Sequence, residues 1–287
     1  MNNFNKEIQF KISLFINGDR GYELTKFFKK KKIEINKIFL SKKFLNKSIL
    51  KKIRKFNIPT QIITNLRKAN IKNNLKKIDL GIICGFPYIF PKDFLNLPKY
   101  GMINCHAGKL PKYRGGSPLN WQLINREKYI GLSVIKVSKG IDEGKIINEK
   151  KFLNKNYDIL KVHKIANTIF PNLVLKTIDD LKKNKKLKSQ NKKHAKYWKQ
   201  RTEKDSLFLP KNTSVLKALA MIKALKKPYP YPYFIDNKYK IIVIKAKIFK
   251  KKIKPGIVKY NKKSIILGCK DSSLKLTSFK IKNEKNH

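Results

Sequence analysis

The run Ile78 to Phe86, IDLGIICGF, is the segment that most narrows what this chain can fold into. A strand with one solvated face alternates apolar and polar residues, and this run is apolar almost throughout. It reads as a strand covered on both faces, as in a parallel sheet flanked by helices. Parallel neighbours cannot be joined by tight hairpins, so crossover segments, usually helices, must connect the strands around it.

The flanking sequence supplies those crossovers. Ile8 to Ile16 alternates through Phe10, Ile12, Leu14 and Ile16 and predicts a first strand. The turn Asn17-Gly18-Asp19-Arg20-Gly21 leads into a helix through about Lys32, and Ile33 to Leu40 is a second strand. Phe44 to Phe56 has helical spacing, Ile58 to Thr64 is a short strand, and Asn65 to Lys77 is polar and part helix. Pro87 to Pro98 is a loop with one helical turn, followed by a strand from Gly101 to Cys105. This alternation predicts a Rossmann-like, doubly wound α/β fold with a mostly parallel sheet. Ligands of such sheets bind beyond the carboxyl ends of the strands. Asn104 and His106 stand at one such end, and Gly85-Phe86-Pro87 at another.

Farther on, Ile146 to Leu153 reads as a strand and Tyr157 to Asn184 as a long amphipathic helix that Pro171 should kink or divide. Lys182 to Lys193 (KKNKKLKSQNKK) reads as a solvated basic linker. Ser214 to Lys226 is a short helix with Ser214 as its N-cap. Five short strands follow, at 231–235, 240–249, 256–260, 264–269 and 274–281, with Asp236-Asn237 and Asp271-Ser272 as turn residues. They fit a small, partly open, OB-like β-barrel. The expected organisation is a catalytic domain over 1–190, a linker over 191–213 and a C-terminal domain over 214–287.

A net charge of +51 ordinarily points to nucleic acid or an anionic membrane. Here the basic residues are almost all lysine, distributed beside abundant Asn and Ile. Arginine, the residue suited to gripping phosphate with two parallel bonds, occurs at only Arg20, Arg54, Arg67, Arg114, Arg126 and Arg201. An A/T-rich coding bias suffices to produce this pattern. The N-terminus carries no signal-like apolar core, and no run approaches a membrane span. Cys84, Cys105 and Cys269 are too scattered for a disulfide framework or a Cys-based zinc site, so a cytoplasmic protein is expected.

The polar residues that can do chemistry concentrate between Tyr100 and Ile147. Asn104 and His106, two apart at a strand end, project to the same side, so an amide and an imidazole can share one target. Such a pair can stabilise an oxyanion, and a carboxylate within reach can orient the imidazole or move a proton. Asp142, between Gly140 and Gly144, is the candidate carboxylate. This is an inventory for acyl transfer without a covalent intermediate. Each part alone also has a structural reading: an internally satisfied Asn-x-His pair, and an Asp that forms a turn. No G-x-S-x-G elbow, P-loop or G-x-G-x-x-G is present, and no metal-ligand spacing surrounds His106.

The combination is more specific than its parts. Asn104-x-His106, Leu110-Pro111-x-Tyr113-Arg114-Gly115, Pro118, Trp121, Gly131-x-Ser133-Val134 and Asp142-x-Gly144-x-Ile146-Ile147 occur in that order. Together they resemble the folate-dependent formyltransferase family, which includes methionyl-tRNA formyltransferase and the formyltransferases of nucleotide-linked amino sugars. The likeness extends to IDLGIICGFPYIFP upstream, and to Tyr197-x-x-x-Arg201-x-Glu203-x-Asp205 and Lys223-Ala224-Leu225-x-x-Pro228-Tyr229-Pro230 downstream.

The resemblance implies Asn104, His106 and Asp142 as the catalytic residues, and 10-formyltetrahydrofolate as formyl donor with no metal. The folate would lie against Phe86, Pro87, Tyr88 and Ile89, with Gly140 and Ile141 as further contacts. Lys109, Pro111, Tyr113, Arg114 and Trp121 would face the acceptor. Ala107-Gly108-Lys109-Leu110-Pro111 departs from the x-Ser-Leu-Leu-Pro common after the histidine, and the Tyr113-Arg114-Gly115 and Trp121 version is similar to the sugar-modifying branch. The expected acceptor is therefore a nucleotide-linked amino sugar. Charged initiator tRNA is the alternative, and a non-catalytic RNA-binding role on the same scaffold is the remote one. No membrane partner is expected, and a homodimer is left open.

Overall fold

The computed structural model describes residues 10–67 and 70–283. The chain divides into two compact units. The first runs through Arg114 and adds Gly131–Lys151 and Lys164–Tyr197; the second takes Gly115–Ile130, Phe152–His163 and Trp198 onward. The expected blocks 1–190, 191–213 and 214–287 thus stand beside a division that interleaves along the chain.

The first unit alternates strands and helices: β1 (Ile12–Ile16), α1 (Gly18–Lys30), β2 (Ile35–Ser41), α2 (Lys47–Arg54), β3 (Thr60–Ile63), α3 (Ile71–Leu75), β4 (Leu80–Cys84) and β5 (Met102–His106). Beyond β5 lie β6 (Arg114–Gly115), α4 (Pro118–Ile124), β7 (Tyr129–Lys136), β8 (Ile146–Leu153), α5 (Ile159–Lys182) and β9 (Tyr197–Trp198). The sheet order is β3-β2-β1-β4-β5-β7-β8. The first five strands are parallel, and β7 runs antiparallel to β5, with His106 opposite Ser133. The doubly wound reading is therefore correct.

β1 shows why its run is apolar. Phe15 stacks on Phe39 of β2 at 4.6 Å and belongs to a core with Ile71 and Leu75 of α3. Ser13 Oγ donates to Asn74 Oδ1 of the same helix at 2.9 Å. On the opposite face, Ile16 meets α1 so closely that a Cβ on Gly21 would lie 2.5 Å from Ile16 Cβ. All five residues of β1 and all five of β4 are buried. Both faces of the sheet are covered, so neither strand can alternate.

Several boundaries differ from those expected. Residues 8 and 9 of the first predicted strand lie outside the described residues. The Asn17–Gly21 segment is not a free turn, because α1 begins at Gly18 and Asn17 is its N-cap. The Asn17 amide ties the ends of β1 and β2 together instead, donating to Ser41 O at 3.3 Å and accepting from Ser41 N at 3.0 Å. Phe44 falls in a short 3₁₀ turn, and α2 is capped by Asn46, which accepts from Ile49 N at 3.1 Å. Pro171 does not divide α5, which is continuous from Ile159 to Lys182. The helix is long and has a buried apolar face, including Phe170 and Val174, which outweighs the single backbone bond that proline removes. The supposed linker is partly tied down: Lys188 pairs with Ile146 through reciprocal backbone bonds of 2.8 and 3.0 Å.

In the second unit, α6 (Val215–Ala224) is capped by Ser214, whose Oγ accepts from Lys217 N at 3.2 Å. Asn120 of α4 anchors it by donating to Ala224 O at 2.8 Å. The five expected strands are present as β10 (Tyr233–Asp236), β11 (Tyr239–Phe249), β12 (Val258–Asn261), β13 (Ser264–Gly268) and β14 (Ser273–Asn283). They form an antiparallel sheet in the order β10-β11-β14-β13-β12, which leaves β10 and β12 as edges. Register shifts around Lys245 mark a bulge in the long β11–β14 pair, the device that lets a sheet curl into a half-barrel. Ile241, Val243, Leu267, Leu274 and Leu276 are fully buried and form its core.

Asp180 of α5 is a buried carboxylate in the first unit. Lys176, Lys185 and Asn148 all donate to it, at 2.6, 2.5 and 2.9 Å, and hold its carboxyl well below the usual carboxylate range. A group whose folded pKa is depressed stabilises above its unfolded value, about 3.9 for Asp, and loses that contribution as the pH falls toward the folded value. Both lysines are more than half exposed, so the expected cost of Asp180→Asn is only about 1 kcal/mol at pH 7. Thermal unfolding of wild type and variant should differ most at neutral pH, and the difference should shrink progressively as the pH falls below about 4.

Candidate active site

Three polar side chains meet at the carboxyl end of β5. Asn104 Nδ2 donates to Asp142 Oδ1 at 3.2 Å, and His106 Nδ1 lies 3.3 Å from Asp142 Oδ2. The side chains of His106 and Asp142 are 5% and 10% exposed, so the carboxylate has exchanged most of its water for these two donors. The same imidazole reaches Tyr113 O through Nε2 at 2.5 Å. A carbonyl only accepts, so Nε2 carries a hydrogen there. An amide has two N–H donors, and one of those on Asn104 remains for a substrate oxygen.

Asp142 lies in the left-handed region at φ 53°, a strained conformation that Asp tolerates better than most residues. Its loop is braced from residues that sequence reasoning missed. Gln190 Nε2 donates to Asp142 O at 2.8 Å and to Gly144 O at 2.7 Å, while its Oε1 accepts from Arg114 Nε at 3.0 Å. Gln190 lies within KKNKKLKSQNKK, where composition alone signals only a solvated tether. Gly144 must be glycine, because a Cβ there would stand 1.7 Å from Lys136 O of β7.

Gly108 is the other missed residue. A Cβ at this position would stand 2.3 Å from His106 Nε2 and 2.7 Å from Tyr113 O. Glycine opens the space in which the imidazole reaches the Tyr113 carbonyl. Its departure from the common serine was visible in the sequence, but its contact with the ring was not.

The other candidates separate into distinct settings. The Tyr113 side chain is fully buried, so its carbonyl rather than its phenol faces the trio. Arg114 is buried, with Nη1 3.2 Å from Glu143 Oε1 in addition to its bond with Gln190. Lys109 is exposed, and Pro111 O accepts from Lys196 N at 3.1 Å. Trp121 belongs to the second unit, where it packs on Trp198 at 4.8 Å beneath the Arg201 guanidinium. Phe86 is a core residue, edge-on to Phe15 at 5.7 Å and to Tyr88 at 5.4 Å. Pro87 is partly buried, as is Gly140, whose carbonyl accepts from Ser138 Oγ at 3.3 Å. Ile89 and Ile141 are exposed apolar residues, at 73% and 43%. Cys105 is a buried core thiol, pushed up by its contact with Cys84 and by burial.

The chain as a whole matches a known class of proteins. The family pattern "Formyl transferase" matches residues 22–161, and "Formyl transferase, C-terminal domain" matches residues 212–287. The chain belongs to the formyl transferase family. It is 34% identical over 238 residues to the bifunctional polymyxin resistance protein ArnA of Wigglesworthia glossinidia brevipalpis, covering 80% of this chain but only 36% of that protein. It is 30% identical over 243 residues to methionyl-tRNA formyltransferase of Orientia tsutsugamushi, covering 83% of this chain and 78% of that protein. Its fold is similar to the N-formyltransferase from Helicobacter canadensis solved with folinic acid and dTDP-3-aminofucose. That likeness has a TM-score of 0.71 at 19% identity and covers 95% of this chain and all of that one.

The seat of His106 yields a test. In Gly108→Ser or Gly108→Ala the added Cβ forces the ring off the Tyr113 carbonyl, and Gln190→Ala releases the Asp142 backbone. Misplacement of reacting groups by about 1 Å costs up to ~100-fold in rate. Turnover is expected to fall by at least tenfold in each variant while the thermal unfolding midpoint moves little. Unchanged turnover in Gly108→Ser would show that the imidazole does not depend on this space.

Proposed function

We propose that this protein transfers a formyl group from 10-formyltetrahydrofolate to the amine of a nucleotide-linked amino sugar. The observation that carries the chemistry is the bonded set of Asn104, His106 and Asp142 at the end of β5. The acceptor nitrogen attacks the formyl carbon, the bond from that carbon to N10 of the folate breaks, and the amine proton passes in balance to the departing N10. Asn104 donates to the formyl oxygen as it takes up negative charge, and His106, engaged at both ring nitrogens, fixes the Asp142 carboxyl group beside it. Such donors are worth most when they are held in advance in a site that excludes water. Asp142 orients both of them and takes part in moving the amine proton.

The residues available for the folate fit an amphipathic ligand. Ile89 and Ile141 offer exposed apolar surface, and Tyr88 adds a ring already seated on Phe86. Backbone groups of Phe86, Pro87 and Gly140 can hold the ring edge. The amino-sugar reading rests on the Tyr113-Arg114-Gly115 and Trp121 version of the loop and on the likeness to the sugar-bound Helicobacter fold. Lys109 and Pro111 are the further acceptor candidates, and Arg114 acts there through its grip on Glu143 and Gln190. A second reading, methionyl-tRNA as acceptor, is favoured by the Orientia relative and by the lysine surplus. Either reaction suits the cytoplasm, in keeping with three cysteines that are all free thiols.

Steady-state assays with 10-formyltetrahydrofolate and each acceptor distinguish these readings. Turnover is expected with an amino-sugar nucleotide and not with charged initiator tRNA; the reverse pattern overturns the acceptor. Asn104→Ala and Asp142→Asn should each lower kcat by about 100- to 1,000-fold. Full turnover in either variant would remove that residue from the mechanism.

A further inference from the structure

The second unit holds a cavity of about 350 Å³ that the formyl-transfer reading does not use. It is bounded by the end of α4, by α6 and by the segment 154–157. These walls are tied together. Asn154 N donates to Lys128 O at 2.9 Å and Asn154 Nδ2 to Glu127 O at 3.2 Å, and Lys217 Nζ of α6 donates to Asn125 Oδ1 at 3.3 Å. Lys223 of α6 donates to the Asn156 side chain. The cavity is therefore built by hydrogen bonds within one unit rather than left by loose packing.

Its lining is divided by chemistry. Leu123, Leu219 and Ala220 give an apolar wall, Arg126, Lys128 and Lys223 bring positive charge, and Glu127 is the single carboxylate. The charge there is crowded as well as abundant. Burial holds the Lys223 ammonium of the lining below its ordinary range, with Lys226 adding to the effect. An anion in the cavity would relieve that mutual repulsion. Arg126, one of the few arginines of this lysine-rich chain, occupies the left-handed region at φ 57° just past the end of α4, where Asn or Gly would be unstrained.

We propose that this cavity binds a small organic phosphate of nucleoside-monophosphate size. Arg126 and Lys223 hold the phosphate, and the Leu123–Leu219 wall covers the apolar or planar part. Asn154 and Tyr157 complete the lining. The proposal stands apart from formyl transfer, because every lining residue lies outside the unit that carries Asn104, His106 and Asp142.

Calorimetric titration of the full chain with uridine 5′-monophosphate, uridine and inorganic phosphate, at near-physiological salt to suppress binding to the lysine-rich surface, tests it. Saturable binding of the monophosphate is expected, with the other two at least tenfold weaker. Arg126→Asn, which tolerates the left-handed backbone, and Lys223→Gln should each weaken it at least tenfold. Lys26→Ala, on the exposed face of α1, should leave it unchanged. Absence of saturable binding overturns the proposal. So does equal weakening in Lys26→Ala, which would mean a generic cationic surface, or unchanged binding in both Arg126→Asn and Lys223→Gln, which would place the nucleotide elsewhere. Because these readouts are binding constants, failure here is separable from failure of the formyl-transfer assays.

Discussion

The carboxylate of Asp142 is the interaction on which the site depends. It is nearly buried, and an uncompensated buried charge is costly, so its two oxygens require donors. Asn104 and His106 meet that need from the end of β5 and are oriented by doing so. What stabilises the carboxylate is therefore also what aims the amide and the imidazole. Everything that positions Asp142, from its left-handed backbone to the glycine behind it, therefore also positions Asn104 and His106.

That positioning comes from long-range structure. The parallel strands set the place of β5, and its antiparallel partner β7 carries the chain past Lys136 to the Asp142 loop. Gln190 then closes the arrangement, with two bonds to that loop and one from Arg114. Arg114 is held in turn by Glu143. The loop after His106 contributes through a backbone carbonyl, at Tyr113, and through an absent side chain, at Gly108. A histidine bonded at both nitrogens has little freedom to leave its position.

Much of this was legible in order along the chain. The nearly continuous apolar run at Ile78–Phe86 predicted a doubly covered strand, and β4 within it has a sheet neighbour on each side and is buried throughout. Ser214 was read as a cap and is one, and all five C-terminal strands lie where alternation and turn residues put them. Asn104, His106 and Asp142 were singled out by residue type and spacing, and they meet. Gln190 carried no such signal, since one glutamine in a lysine tract has no pattern around it. Arg114 and Trp121 were grouped by the family motif, and they fall in different compact units. Pro171 obeyed its local rule less than expected because the helix around it is held by packing.

The sequence by itself determined the succession of strands and helices, the family and the identity of the three polar residues, because periodicity, capping and motif order are properties of neighbouring residues. Tertiary structure alone decided how the trio is held. The bonds that matter span 38 residues between Asn104 and Asp142, 48 between Asp142 and Gln190 and 76 between Arg114 and Gln190. Contacts over such separations exist only once the sheet has formed, and no local pattern encodes them. The same reason hid the space at Gly108 and the cationic cavity between α4 and α6, whose walls are distant in sequence and adjacent only in the fold.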